Sequence, residues 1–467
     1  MSAIMTVERS PVAAEIRATI MVAAPLAVAN LAQMAMGFTN TIMVGYLGAA
    51  SLAAAGLGGV LYFMLLMLCQ GVLTAVAPLA AHAIGADDHP TAGRVAGAGL
   101  IVAAALAAPV IAILTAIPFL LTALGYEPAL AAEIGDYLRM IRWGAPAFLG
   151  FAVLRFLLVA MFRTRIVMIV PLLAIPVNAA LNWALIFGHL GMPAWGSAGS
   201  GCATAIVQWL MLFCFAAYML TLPTRMPVRL AVRVLAEIPR ILRLGLPIGA
   251  LLGLEVGLFA TTGVVMGLLG ADALGAHQLV LNVASITFMV PLGLGQAATV
   301  RVAYQLGLGA PAAARRAGYV AVALGGSFMM ATALLLLLMP RTIASAYVDV
   351  ADPANASLLA IAVQFFVIAA LFQIFDGVQV IAVGALRGYR DTAVPMVIAA
   401  IGYWAIGFAG SCLFAFPLGL GAVGLWSGLA LGLAVVATAL MVRLRFRARA
   451  QIRATGTPLL AATGLPA

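Results

Sequence analysis

Twelve long apolar stretches, each separated from the next by a short polar piece, constrain this chain more than any other feature. They run roughly over 16–45, 52–82, 95–119, 137–162, 166–188, 197–222, 244–270, 277–304, 317–339, 357–386, 394–416 and 421–442. A helix rises about 1.5 Å per residue, so each stretch suffices to cross a hydrocarbon layer about 30 Å thick. Only 8% of the residues are charged and 65% are hydrophobic. A water-soluble surface usually needs about a quarter charged. The expected fold is therefore all-α, a polytopic membrane protein of twelve transmembrane helices. The first stretch is too long for a signal peptide and has no small-residue cleavage site after a short core, so it reads as a retained helix.

The net charge of +10 does not point to nucleic acid, because the basic residues are distributed by loop. There is no lysine, and 21 of the 24 arginines fall in one set of alternate loops: 9, 17, 94, 155, 163, 165, 225, 229, 233, 240, 243, 301, 315, 316, 387, 390, 443, 445, 447, 449 and 453. The other set holds only Arg139, Arg142 and Arg341. By the positive-inside rule both termini are cytoplasmic, which requires an even number of spans. The arginine-rich end, Arg443 to Arg453, is expected to meet anionic lipid headgroups. Cys69, Cys202, Cys214 and Cys412 sit in apolar segments without metal-ligand spacing and read as small core residues.

The chain repeats itself. Pro25 and Pro247, Gly45 and Gly267, Gly48 and Gly270, Leu52 and Leu274, Gly71 and Gly293, Gly85 and Gly307, and Arg94 and Arg316 are each 222 apart. Arg163 and Arg387, and Pro171 and Pro395, are 224 apart, and Gly196 and Gly421, and Gly199 and Gly424, are 225 apart. The reading is two six-helix bundles related by a pseudo-twofold axis along the membrane normal. The expected domains are an N-terminal lobe (1–221), a cytoplasmic linker (222–243), a C-terminal lobe (244–442) and an arginine-rich tail (443–467). No phosphate-binding loop with Gly-Lys-Ser/Thr is present, which argues against direct ATP drive. A duplicated helical monomer with acids in its membrane segments reads as a secondary transporter, not an enzyme, with no cofactor.

Of the 14 acids, twelve fall in stretches that read as loops or helix ends, and two do not: Glu255 and Asp376. Ionisable groups inside a membrane are costly and mark ion pathways by default. Glu255 lies 12 residues after Arg243 and Asp376 lies 11 before Arg387, which puts both roughly 17–18 Å from the arginine level. They are thus at one depth on antiparallel helices, as one cation site fed by two helices requires. Two carboxylates in low dielectric share a proton or bind a cation. The plainer alternative is structural, one acid bonded to a backbone carbonyl and the other facing a wet cavity. The repeat maps Glu255 onto Gln33 and Asp376 onto Ala152, so the first half has amides in place of acids: Asn30, Gln33, Asn40, Asn178 and Asn182. Gln278, Asn282, Gln373 and Gln379 are the amides of the second half. All of these are candidates either for a substrate cavity or for bonds between helices. His277, with no histidine or cysteine cluster beside it, reads as packing.

Taken together, Asn40-Thr-Ile-Met-Val-Gly, Leu52-Ala-Ala-Ala-Gly, Gly85-Ala-Asp, Gly245-Leu-Pro-Ile-Gly with Glu255 after it, Ala276-His-Gln, Phe372-Gln-Ile-Phe-Asp-Gly and Ala385-Leu-Arg-Gly-Tyr-Arg-Asp-Thr resemble the MATE family of multidrug and toxic compound extrusion antiporters, in its NorM-type bacterial branch. The resemblance runs from about Pro25 to Arg443. It implies two six-helix lobes around a V-shaped cavity, in a monomer of the bacterial inner membrane. It also implies efflux of amphipathic organic cations in exchange for Na⁺ or H⁺. It assigns Glu255 and Asp376 to the cation site, as metal ligands if the ion is Na⁺, and Asn178 and Asn182 to the first-lobe cavity. Many bacterial members carry an aspartate where this chain has Asn40, which concentrates coupling on the two acids of the second half. The competing expectation is a flippase or exporter of lipid-linked or polysaccharide substrates, which would favour a cationic cavity.

Overall fold

The structure, a computed structural model, describes residues 11–222 and 232–454. No strand occurs among the described residues. Twelve helices are long and apolar enough to cross a membrane: α1 (Pro11–Gly45), α2 (Ala49–Gly85), α3 (His89–Ala123), α4 (Pro128–Ala160), α5 (Thr164–Phe187), α6 (Ser197–Thr221), α7 (Ile238–Leu268), α8 (Ala271–Gly307), α9 (Pro311–Leu338), α10 (Pro353–Gly388), α11 (Ala393–Ala415) and α12 (Gly421–Ala454). The twelve expected helices are all present. Most extend past their apolar runs, and two of them begin at a side-chain cap, Asp88 before α3 and Asp352 before α10. Asp88 accepts the Thr91 N–H at 3.0 Å at the start of α3, a side-chain N-cap with proline in the first turn. Hydrogen bonding from Thr91 holds the Asp88 carboxyl below its ordinary pKa.

The repeat has a backbone reason. Gly48 and Gly270, repeat mates, precede α2 and α8 with φ of +108° and +122°. Gly196, just before α6, and Gly421, the first residue of α12, are also mates, with φ of +56° and +54°. These are conformations that residues with a Cβ rarely adopt, so the same turn demands glycine twice.

Contacts divide the chain into two compact units, Val28–Gly253 and Met1–Ala27 with Leu254–Ala467. In the first, a Cβ on Gly71 of α2 would lie 2.6 Å from the Gly249 Cα of α7. In the second, a Cβ on Gly293 of α8 would lie 2.8 Å from the Ala27 nitrogen of α1. Gly71 and Gly293 are repeat mates, and so are Ala27 and Gly249. The same close crossing is therefore made once in each unit, of a kind that small residues permit between membrane helices.

Several charged residues lie elsewhere than the loop reading expects. Arg155 of α4 and Arg301 of α8 lie more than one turn inside their helices, and Arg387 stands in the last turn of α10. Glu15 is a buried residue of α1, ion-paired at 2.6 Å with Arg301 Nε. The expected tail is helical as far as Ala454, and the expected linker is helical over Val232–Leu235 and again from Ile238. Linker residues 223–231 and tail residues 455–467 lie outside the described residues.

Asp391 gives a physical reason for the continued helix. This residue of the α10–α11 turn is 6% exposed and receives Arg443 Nε at 2.7 Å and Arg447 Nε at 3.0 Å from α12. These arginines are paired within the protein, not with lipid alone. Asp391→Asn removes the charge and leaves two arginines facing a neutral amide. The expected cost is about 1–2 kcal/mol, moderated by the arginines' partial exposure. It reads out as a lower midpoint of thermal aggregation in detergent, with no lowering overturning the assignment.

Candidate cation site

The unit Met1–Ala27 with Leu254–Ala467 brings Glu255 to Asp376 through a third helix. Between its α-helical ends, α11 is π-helical over Ile401–Phe408. π-Helical turns widen a helix locally and recur at functional sites. This one is seated by glycines. A Cβ on Gly402 would lie 2.2 Å from Val436 of α12, and one on Gly407 3.3 Å from the Gly432 Cα. From the π segment, Trp404 Nε1 donates to the Leu254 carbonyl of α7 at 3.3 Å, immediately before Glu255. The adjacent Tyr403, 1% exposed, accepts a hydrogen bond from Gln379 Nε2 of α10. Gln379 lies three residues after Asp376, on the same helix face. Asp376 is 8% exposed and Glu255 is half-buried. The sequence reading named Glu255, Asp376 and Gln379 as site candidates; Tyr403 and Trp404 were not among them.

Aromatic rings pack beside the acids. Phe372, one turn before Asp376, meets Phe259 of α7 with ring centroids 6.1 Å apart and Trp426 of α12 at 5.6 Å. His277 of α8 is fully buried edge-on to Trp426, at 5.6 Å. It is a packing residue, as read, but neither ring nitrogen has a hydrogen-bond partner among the described residues. Gln373, 1% exposed, accepts from the Thr287 hydroxyl of α8 at 3.1 Å. Gln278 is exposed and half-buried Asn282 donates to its carbonyl at 2.9 Å, within α8.

In the unit Val28–Gly253 the amides form a chain across three helices. Asn182 Nδ2 of α5 donates to Asn40 Oδ1 of α1 at 2.9 Å, and Asn40 Nδ2 donates to the Thr204 hydroxyl of α6 at 3.0 Å. Asn182 also donates to the Asn178 carbonyl at 2.8 Å. Asn178 and Asn182 are 1% and 0% exposed. Gln33 is half-buried. These bonds supply the helix–helix alternative for Asn40 and Asn182. Nearby in sequence to Asn40, Asn30 accepts a hydrogen bond from Arg155 Nη2 of α4 at 2.5 Å, with Arg155 only 2% exposed. The repeat offset of 224 carries Arg155 onto Gln379, and this was the available signal that Arg155 is internal.

Two carboxyls, a phenol and an amide oxygen are hard donors suited to a proton or a small monovalent cation. Among the described residues no group of three His, Cys, Asp or Glu is placed to hold a metal ion.

A family model described as MatE matches residues 25–184 and 247–413, both halves of the repeat. A "Probable multidrug resistance protein NorM" of Mesorhizobium japonicum is 44% identical over 435 residues, 92% of this chain and 93% of its own. A "Multidrug resistance protein NorM" of Burkholderia vietnamiensis is 43% identical, covering 93% of this chain and 95% of its own. Among solved structures, a eukaryotic MATE transporter matches with a TM-score of 0.83 at 21% identity, over 95% of this chain and all of its own. A MATE structure described as in the bent conformation matches with a TM-score of 0.85 at 19% identity, over 95% and 97%. At such identities these two speak for the fold. The breadth of the family match and of the bacterial relatives settles the membership: this chain belongs to the MatE family of membrane transporters.

Proposed function

We propose that the protein is a multidrug efflux antiporter that exports amphipathic organic cations in exchange for Na⁺ or H⁺. It is a multi-pass membrane protein and a transporter. The reading places it as a monomer in the bacterial inner membrane with both termini cytoplasmic. The observation that supports it is that α7, which carries Glu255, and α10, which carries Asp376, are both bonded to the π segment of α11, through Trp404 and Tyr403. A driving cation and an organic cation compete there for the same carboxylate charge. Occupancy by one excludes the other, and this exclusion makes the transport an exchange. The aromatic rings around Phe372 give an organic cation an apolar, polarisable wall. The amides of the other unit hold their helices together and, being uncharged, do not load a proton.

The rival reading, an exporter of diphosphate-linked substrates, requires an accessible internal cation. Arg155 is buried against Asn30, and the repeat places Gln379, not an arginine, at the matching position of the second half. The test is uptake of ethidium into inside-out vesicles under an imposed Na⁺ or proton gradient. Accumulation that collapses with one gradient supports antiport, and accumulation indifferent to both overturns it. Orientation is checked by labelling a single cysteine placed at Ala454 in a variant lacking the four native ones. A membrane-impermeant maleimide is expected to react in inside-out vesicles and not in intact spheroplasts.

A further inference from the structure

Arg142 reads as a loop residue in the sequence, but it lies 14 residues after Pro128, inside α4, where a tight 3₁₀ turn spans Arg142–Gly144. The turn is packed against α6, since a Cβ on Gly144 would lie 3.0 Å from the Ala205 Cα. The depth of this turn is given by α6. Trp209 is the middle residue of Ser197–Thr221, and its Nε1 donates to the Trp143 carbonyl at 3.0 Å. At about 1.5 Å per residue, that level is roughly 18 Å from either end of α6. An arginine that starts from such a depth is costly and marks a function by default.

The surroundings of Arg142 look outward. Its Nη1 donates to the Thr115 hydroxyl of α3 at 2.8 Å, and its guanidinium lies over the Trp143 ring, 5.5 Å from the centroid. Thr115 and Trp143 are exposed, and so are Phe119, one turn from Thr115, and Phe213, which stacks on Trp209. On a membrane-spanning helix such an apolar exposed face meets lipid. Arg142 is half-buried, and its Nε is shielded without a hydrogen-bond partner. Among the described residues no carboxylate lies within ion-pair distance of it. All of these residues belong to the unit Val28–Gly253.

We infer that this face of α3, α4 and α6 binds the phosphodiester headgroup of an anionic membrane lipid. Acyl chains cover the exposed aromatic rings, and the anion that comes with them is the phosphate. A guanidinium matches phosphate in charge and in its forked geometry. Thr115 and the Trp143 ring fix its orientation and leave Nη2 for the phosphate. A helical side chain leans toward the N-terminus, so Arg142 rises along α4 toward Pro128 and the nearer headgroup layer. The headgroup covers the remaining distance by dipping inward, because local thinning of the bilayer is how a deep arginine is accommodated. A zwitterionic lipid brings an ammonium with its phosphate, so the net anionic lipid is preferred.

The test uses the full chain in phosphatidylcholine liposomes that contain a trace of phosphatidylglycerol with a photoreactive acyl chain. Adducts are mapped by mass spectrometry. In the wild type they are expected around Thr115, Trp143 and Phe213. Unlabelled phosphatidylglycerol is expected to displace them at about a ten-fold lower mole fraction than phosphatidylethanolamine does. Arg142→Gln is expected to abolish that preference, while adducts at the arginine-rich end, Arg443 to Arg453, persist and report an inserted, folded protein. Arg139→Gln, one turn earlier and already paired with Asp136 at 3.3 Å, is expected to keep it. Equal displacement by the two lipids in the wild type overturns the inference without any variant. An unchanged preference in Arg142→Gln, or an equal loss in Arg139→Gln, overturns it as well. If Arg142→Gln does not insert, the wild-type displacement decides alone.

Discussion

Glu255→Gln and Asp376→Asn are each expected to abolish ion-driven export of ethidium while leaving the protein inserted and monodisperse. Each exchange is close to isosteric and removes only the charge. With one carboxylate gone, a single acid is left to attract the driving cation and the organic cation. Loss of the electrostatic attraction is worth several kcal/mol in a shielded site, so the rate is expected to fall by about a hundred-fold or more. The measurement is gradient-driven flux in liposomes, together with resistance of a drug-sensitive bacterial host. Growth protection by either variant at the wild-type level, from equal amounts of membrane-inserted protein, ends the assignment of coupling to these two residues. Asn40→Asp offers no rescue in Glu255→Gln, because Asn40 lies in the other compact unit and its amide is occupied by Asn182 and Thr204.

Gly384→Val is expected to have the largest effect on the fold. A Cβ on Gly384 of α10 would lie 2.2 Å from the Gly295 carbonyl oxygen of α8, and both atoms are backbone. One on Gly295 would lie 2.9 Å from the Val380 carbonyl. The crossing also carries a bond between helices, from the Thr299 hydroxyl to the Gly384 carbonyl at 2.8 Å. A branched side chain cannot enter without separating the two helices along their contact, and no flexible neighbour can yield. The cost is expected to exceed about 3 kcal/mol. Thr299 loses its bond across to α10 in the same step and keeps only the one to Gly295 within α8. The variant is expected to aggregate on extraction into detergent. Gly410→Val, on the helix that carries the π segment, has nothing within 4 Å of its added Cβ and is expected to leave the melting behaviour unchanged. Equal stability of the two variants contradicts this account of the α8–α10 contact.

The site was partly legible in the chain because depth along a helix is a one-dimensional quantity. Counting residues from Arg243 and Arg387 placed Glu255 and Asp376 at one level. Tyr403 and Trp404 carried no signal of their own. Their part depends on a π turn in α11, and the π turn depends on Gly402 and Gly407 fitting against Val436 and Gly432 of α12.

By itself the sequence determined the all-helical class, the twelve spans and the duplication. Each follows from local rules, the hydrophobic length of a bilayer and the backbone demand for glycine at φ above zero. Only the tertiary structure decided which polar groups become partners. It spent Asn40 and Asn182 on holding helices together, and paired Glu15 with Arg301 and Asp391 with Arg443. In low dielectric, a charge is defined by its neighbours as much as by its residue type. Those neighbours come from helices far apart in the chain.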